Sequence, residues 1–145
     1  MSRAIYLGKD PKKDIILMNG LKKVGFEIIK VNSLDEISSY HPAQFQAVVL
    51  PQSITNSGLD FSGIHKADVL KSKHPNLYTI IYSDPRTEAS PENSQVLYDS
   101  IINAKIDLYF GFMDSSTTNL RKLWNQGLKK KTGKIRKSIR ESMPI

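Results

Sequence analysis

Three polar residues stand just after apolar runs of the chain, and their types could do chemistry together. Lys9 follows Ala4-Ile5-Tyr6-Leu7-Gly8, and Ser83 follows the run from Leu77 to Tyr82, with Arg86 three residues on. An ammonium, a hydroxyl and a guanidinium gathered with strand-end amides would hold an anion. The competing reading, which the residue types favour, makes Lys9 a fixed positive charge paired with Asp10 or Asp84. Other chemistries lack their residues. Ser83-Asp84 has no histidine close in sequence, and no Gly-x-Ser-x-Gly elbow occurs, which argues against a hydrolase triad. His41, His65 and His74 are scattered, with His41-Pro42 and His74-Pro75 reading as exposed turns, so no zinc spacing arises. No Gly-x-x-x-x-Gly-Lys-Ser/Thr loop and no Gly-x-Gly-x-x-Gly after the first strand supports nucleotide binding. The chain has no cysteine, which excludes disulfides and thiolate metal sites.

The elements that must position these residues follow from the hydrophobic pattern. Ala4–Leu7 reads as a buried strand ended by Gly8. Asp10 as N-cap and Pro11 at the first helical position start a helix whose apolar stripe is Leu17, Leu21 and Val24 and which Gly25 stops. Phe26–Val31 is a second strand, and Ser33 with Glu36 is a capping box for a short helix to about Ser39. Ala47–Leu50 is a third strand, wholly apolar, followed by a polar loop over 51–62 and a helix over 63–73. Leu77–Tyr82 is a fourth strand. Pro91–Asn103 is a fourth helix, with Val96, Leu97, Ile101 and Ile102 on its apolar side. Ile106–Phe110 is a fifth strand. Asp114 or Ser115 caps a last helix carrying Leu120, Leu123, Trp124 and Leu128. Apolar strands alternating with amphipathic helices predict an α/β chain, a parallel five-stranded sheet covered on both faces, of order 2-1-3-4-5 and flavodoxin-like. In such a sheet the functional crevice lies beyond the carboxyl ends of the strands.

The length of 145 residues fits one domain, over 1–125, followed by a tail over 126–145. The net charge of +7 sits almost wholly in that tail. Residues 1–115 hold 12 Lys/Arg and 13 Asp/Glu, whereas residues 116–145 hold nine Lys/Arg and one acid, Glu141. No signal-like or membrane-spanning apolar stretch is present, which predicts a soluble, cytoplasmic protein. Lys129, Lys130, Lys131, Lys134, Arg136, Lys137 and Arg140 form a basic face beside a thin stripe of Leu128, Ile135 and Ile139. Gly127 and Gly133 weaken a helix there by about 1 kcal/mol each against alanine. Four readings stand for the tail: a frayed solvated end, a linker to a further domain, a grip on nucleic-acid phosphates, or a contact with an acidic partner or membrane surface.

Several passages resemble the receiver domains of response regulators. Lys22-Lys23-Val24-Gly25-Phe26-Glu27-Ile28-Ile29 is similar to their passage from the first helix into the second strand. Asp10-Pro11 resembles the end of their acidic turn, Gly63-Ile64 the start of their third helix, and Asn103-Ala104 with Leu108 and Phe112 their passage through the fifth strand. The resemblance spans residues 3 to about 125, in order. It implies a phosphorylation pocket of two Mg²⁺-binding acids after strand 1, an acceptor Asp after strand 3, a hydroxyl after strand 4 and a Lys after strand 5. The matching positions here are Gly8, Lys9, Pro51, Ser83 and Phe110, with Gly111 in place of Phe110 if the frame moves by one. Only the hydroxyl is kept. Asp60, in a loop about four residues longer than the family's, reads as a solvated acid or helix cap rather than a substitute acceptor.

By that resemblance the chain is a degenerate, pseudo-receiver type of module for signalling and protein docking. It is expected to be no enzyme, to need no cofactor and no Mg²⁺, and to act without phosphoryl transfer. The fourth helix, fifth strand and last helix imply a docking or homodimerising face with Tyr98, Tyr109 and Trp124, although core packing competes for Tyr109 and claims Phe110. The alternative is a basic nucleic-acid-binding protein that acts through its tail.

Overall fold

The computed structural model describes residues 2–9, 11–54, 61–82, 94–110 and 137–142. Along the chain these form β1 (Ser2–Leu7), α1 (Pro11–Lys23), β2 (Phe26–Val31), α2 (Leu34–Ser38), β3 (Ala47–Pro51), α3 (Ser62–Lys73), β4 (Tyr78–Tyr82), α4 (Ser94–Asn103) and β5 (Leu108–Phe110). A 3-10 turn over Pro42–Gln44 precedes β3, and residues 137–141 are helical. The sheet has the order β2-β1-β3-β4-β5. Every strand pair is parallel. The predicted fold class and strand order are therefore those observed. No described helix is long and apolar enough to cross a membrane.

Strand residues divide between two buried layers by their alternation. Ile5, Leu7, Val48, Leu50, Ile81 and Tyr109 pack with Ile37 of α2, Ile64 and Ala67 of α3, and Leu97 and Ile101 of α4. Tyr6, Val49, Ile80, Tyr82, Leu108 and Phe110 pack with Leu17 and Leu21 of α1 and with Ile139. Burying each large aliphatic side chain contributes about 1.5–3 kcal/mol. β3 is buried along its whole length, as a central strand covered on both faces must be.

Local details depart from the sequence reading where tertiary packing decides. Val24 is exposed, and the buried side of α1 is Asp14, Leu17, Gly20 and Leu21. Val96 and Ile102 are about half exposed, while Leu97 and Ile101 turn inward from α4. Ser33 is the N-cap of α2 but makes no side-chain cap bond. Glu36 instead accepts from the Asn32 backbone at 3.2 Å, one residue before the expected partner. His41 caps the 3-10 turn, its Nδ1 accepting from Ala43 N at 3.1 Å while its own N–H donates to Gln44 Oε1 at 2.6 Å. His65 is exposed on α3, and half-buried His74 is the C-cap of that helix.

Residues 137–142 lie against α1. Ile139 is fully buried, and Ser138 Oγ donates to the Gly20 carbonyl at 2.7 Å. A Cβ on Gly20 would lie 2.5 Å from Ile139 Cα, so only glycine permits this approach. The basic segment over 126–145, read from sequence as separate from the domain, thus has its residues 138 and 139 inside a layer of the core.

Candidate functional site at the carboxyl ends of the strands

The parallel register sets the strand tips side by side. Pro51 of β3 pairs with Tyr82 of β4, and Tyr82 with Phe110 of β5. Gly8 and Lys9 leave β1 beside them, and Gln52, Ser53 and Ile54 continue from β3 toward α3. The start of α3 packs hard onto that continuation. Gly63 N donates to the Gln52 carbonyl at 2.8 Å, and Ser62 Oγ accepts from Ile54 N at 2.8 Å. A Cβ on Gly63 would lie 1.7 Å from the Pro51 carbonyl oxygen, so no other residue fits.

Direct hydrogen bonds tie the tips together. Lys9 Nζ donates to the Ser53 carbonyl at 2.5 Å, linking the β1–α1 turn to the β3–α3 connection. Gln52 N donates to the Tyr82 carbonyl at 2.9 Å, and Gln52 Oε1 accepts from the Tyr109 hydroxyl at 2.9 Å. Pro51, Gln52 and Ser53 are all buried. Two polar side chains buried directly after a strand are costly unless bonded. The Tyr109 phenol supplies a bond to Gln52.

A second network lies under Gly8. The Tyr6 hydroxyl donates to Asp14 Oδ1 at 2.7 Å, the Tyr82 hydroxyl donates to the Leu7 carbonyl at 3.0 Å, and the two rings stack with centroids 5.9 Å apart. Burial pushes the Tyr6 phenol far above the usual tyrosine range, with Tyr82 and the Asp14 carboxylate adding to the shift. A side chain on Gly8 would meet Lys30 Cε at 2.9 Å and Asp14 Oδ2 at 3.0 Å. The place beside the first strand tip is filled from α1 and β2. Asp14 is 2 % exposed and spends one oxygen on Tyr6, so it is a packed structural acid rather than one offered to a ligand.

Of the residues singled out from sequence, the structure brings Gly8, Lys9, Pro51 and Phe110 to one end of the sheet. Phe110 is buried at 1 % exposure in the α1-side layer. Tyr109 is buried at 4 % exposure in the opposite layer, its hydroxyl turned to Gln52. It presents no surface for a partner, because alternation along β5 turns it toward α4 and away from solvent. Lys137 is exposed and Arg140 half-buried. Ser83, Asp84, Arg86, Asp60, Trp124, Lys129, Lys130, Lys131, Lys134 and Arg136 lie outside the described residues, as do the last helix over 114–128 and the side chain of Tyr98. Sequence reasoning missed Tyr6, Asp14, Gln52 and Tyr82. The pairing of Tyr6 with Asp14, eight residues apart, is a long step for local pattern to show. Gln52 stood next to Pro51 in what read as a polar loop, and only the fold reveals its burial.

No protein-family model matches the chain, and no curated protein matches it in sequence. Solved structures do resemble it. An orphan response regulator of H. pylori is 14 % identical with a TM-score of 0.54, covering 86 % of this chain and 95 % of its own. A CheY-like response regulator receiver domain protein from Methanospirillum hungatei is 18 % identical with a TM-score of 0.54, covering 97 % and 98 %. The RcsB response regulator of Salmonella typhimurium is 11 % identical with a TM-score of 0.60, covering 96 % of this chain and 66 % of its own. At such identities the likeness is one of architecture, and the chain has the flavodoxin-like fold of response-regulator receiver domains.

Proposed function

We propose that this chain is a receiver-type module for signalling and protein docking that works without Mg²⁺ and without phosphoryl transfer. The observation that carries the reading is Pro51, buried as the last residue of β3. A prolyl ring there offers no oxygen to accept a phosphoryl group. Gly8 and Lys9 at the first strand tip offer no carboxylate, and an ammonium repels a divalent cation that asks for near-octahedral oxygen ligands. The tips are also tied to each other by the Lys9–Ser53 and Tyr109–Gln52 bonds. Such a crevice does not depend on a ligand to hold its shape.

The working surface in this reading is the α4 side of the sheet edge. Val96 and Ile102 are 53 % and 50 % exposed on α4, and Tyr98 and Trp124 belong to the same proposed face. Tyr109 supports it from inside. A signalling partner or a second copy of the chain is the expected occupant.

Incubation with acetyl phosphate and Mg²⁺, followed by intact-mass and peptide mass spectrometry, tests the chemistry. The expected result is an unchanged mass. A gain of one phosphate mapped to residues 50–60 would sink the proposal.

A further inference from the structure

We propose that the outer edge of β2 is a self-association surface, on which a second copy of this chain pairs its own β2 antiparallel and joins the two five-stranded sheets into one. This inference does not rest on the function proposed above. β2 and β5 are the opposite edges of the sheet, so a dimer through β2 leaves the α4 face open.

Gly8 N donates to the Val31 carbonyl at 3.3 Å, so Val31 turns its main-chain groups toward β1. Along a strand that direction alternates by residue. Glu27 and Ile29 therefore face β1 with Val31, whereas Phe26, Ile28 and Lys30 turn their N–H and C=O groups outward. None of these outward groups has a hydrogen-bond partner among the described residues. The edge is also long and regular. It has six residues against three for β5, contains no proline, and keeps its register with β1 unbroken throughout. Folded proteins usually shorten, bend or cover such an edge. Half-buried apolar side chains stand on both of its faces, Phe26 and Ile28 in the layer of Met18, and Ile29 in the layer of Leu34 and Tyr40.

Charge favours a second copy as the occupant and selects its register. β2 carries one acid, Glu27, near its start and one base, Lys30, near its end. An antiparallel copy brings the acidic half of each strand to the basic half of the other, whereas a parallel copy sets like beside like. In a twofold antiparallel pair, opposed residues share a face of the sheet, so the axis passes at a residue and not between two. An axis at Glu27 opposes two carboxylates, and one at Lys30 opposes two ammonium groups. An axis at Ile29 pairs Phe26 with Asn32, which lies beyond the strand and already donates its N–H to Glu36 at 3.2 Å. An axis at Ile28 pairs Ile28 with its copy and Phe26 with the partner's Lys30. Every outward group of both strands is then matched within β2.

Analytical ultracentrifugation of the full chain over a concentration series tests this, and a monomer–dimer equilibrium is expected. Ile28→Pro removes an outward N–H and no bond of the β1 ladder, a place where an edge strand tolerates proline. It is expected to weaken the dimer roughly tenfold or more. Phe26→Lys sets an ammonium opposite the partner's Lys30, and Phe26→Glu sets a carboxylate there. Both lose the same ring, so the Glu variant is expected to dimerise roughly tenfold or more tighter than the Lys variant. Amide exchange of the wild-type chain reads the edge directly. Exchange at Phe26, Ile28 and Lys30 is expected to slow as concentration rises, while Glu27 and Ile29 stay protected at every concentration. A chain that remains monomeric up to about 1 mM overturns the proposal. So does a dimer that keeps its affinity with Ile28→Pro, associates alike in the two Phe26 variants, or leaves the three outward amides exchanging freely. If Ile28→Pro unfolds the chain, the Phe26 variants and the amides decide.

Discussion

The two ends of the sheet are built from opposite materials. At the amino ends of the strands, a carboxylate gathers donors from two elements, α3 and β4. Asp107 Oδ2 accepts from Lys71 Nζ at 2.5 Å, from Thr79 N at 2.8 Å and from Thr79 Oγ1 at 3.2 Å, and Lys71 also donates to the Lys105 carbonyl at 2.9 Å. At the carboxyl ends, where a receiver fold places its chemistry, the described tips carry Gly8, Lys9 and Pro51, and the bonds join loops to one another. The exchange is instructive. At the amino end charge serves architecture, and at the carboxyl end the described bonds are made by an ammonium, an amide and two phenols. In the function proposed above, the fold is kept without the site.

The comparison can be broken from either end. The largest effect is expected at the carboxyl end from Gly63→Ala, whose Cβ would meet the Pro51 carbonyl oxygen at 1.7 Å. Since backbone rather than a flexible side chain must move, the expected loss is about 3 kcal/mol in denaturant unfolding. A loss below roughly 0.5 kcal/mol would show that α3 does not press on β3 as described.

At the amino end, Asp107→Ala strands the backbone N–H of Thr79, which is fully buried. Denaturant unfolding is expected to show a loss of about 2 kcal/mol. A near-neutral result would reduce that cluster to surface decoration. The Lys71–Asp107 pair alone counts for less, because its carboxylate side chain is 31 % exposed and screened by solvent.

Alkaline titration sharpens the view of the network under Gly8. The folded chain holds the Tyr6 proton more tightly than the unfolded chain does, since its folded value lies above the ordinary tyrosine value. The stability this gives is fully present below about pH 10 and is lost as pH rises beyond it, at about 1.4 kcal/mol per pH unit for this one group. Stability curves that stay flat above pH 10 would contradict the burial of Tyr6. The smallest effect is expected from Lys9→Ala. Its side chain is exposed although its ammonium reaches Ser53, so a loss of about 0.5 kcal/mol or less is expected in the same unfolding assay.

How much of this was legible in the sequence differs by region. Apolar strands of four to six residues between amphipathic helices were enough for the five-stranded parallel sheet, because a strand covered on both faces has little choice of composition. The strand tips were legible too, since Gly8 and Pro51 end their apolar runs visibly. What the tips touch was not. Tyr109 looked equally suited to a partner and to the core until β5 took its register beside β4 and turned the phenol to Gln52. Gly20 carried no local signal, because the reason for it stands 119 residues later at Ile139. The same distance hid the role of Ser138, which in sequence is one more residue of a basic run.

The most direct test of the closed crevice is a Mg²⁺ titration followed by amide NMR of the full chain, run with and without beryllofluoride, a mimic of the bound phosphoryl group. The account expects the amides of Gly8, Lys9, Gln52 and Ser53 to hold their positions throughout. Saturable shifts at those four amides, enlarged by beryllofluoride, would show a working phosphoryl pocket and contradict the account.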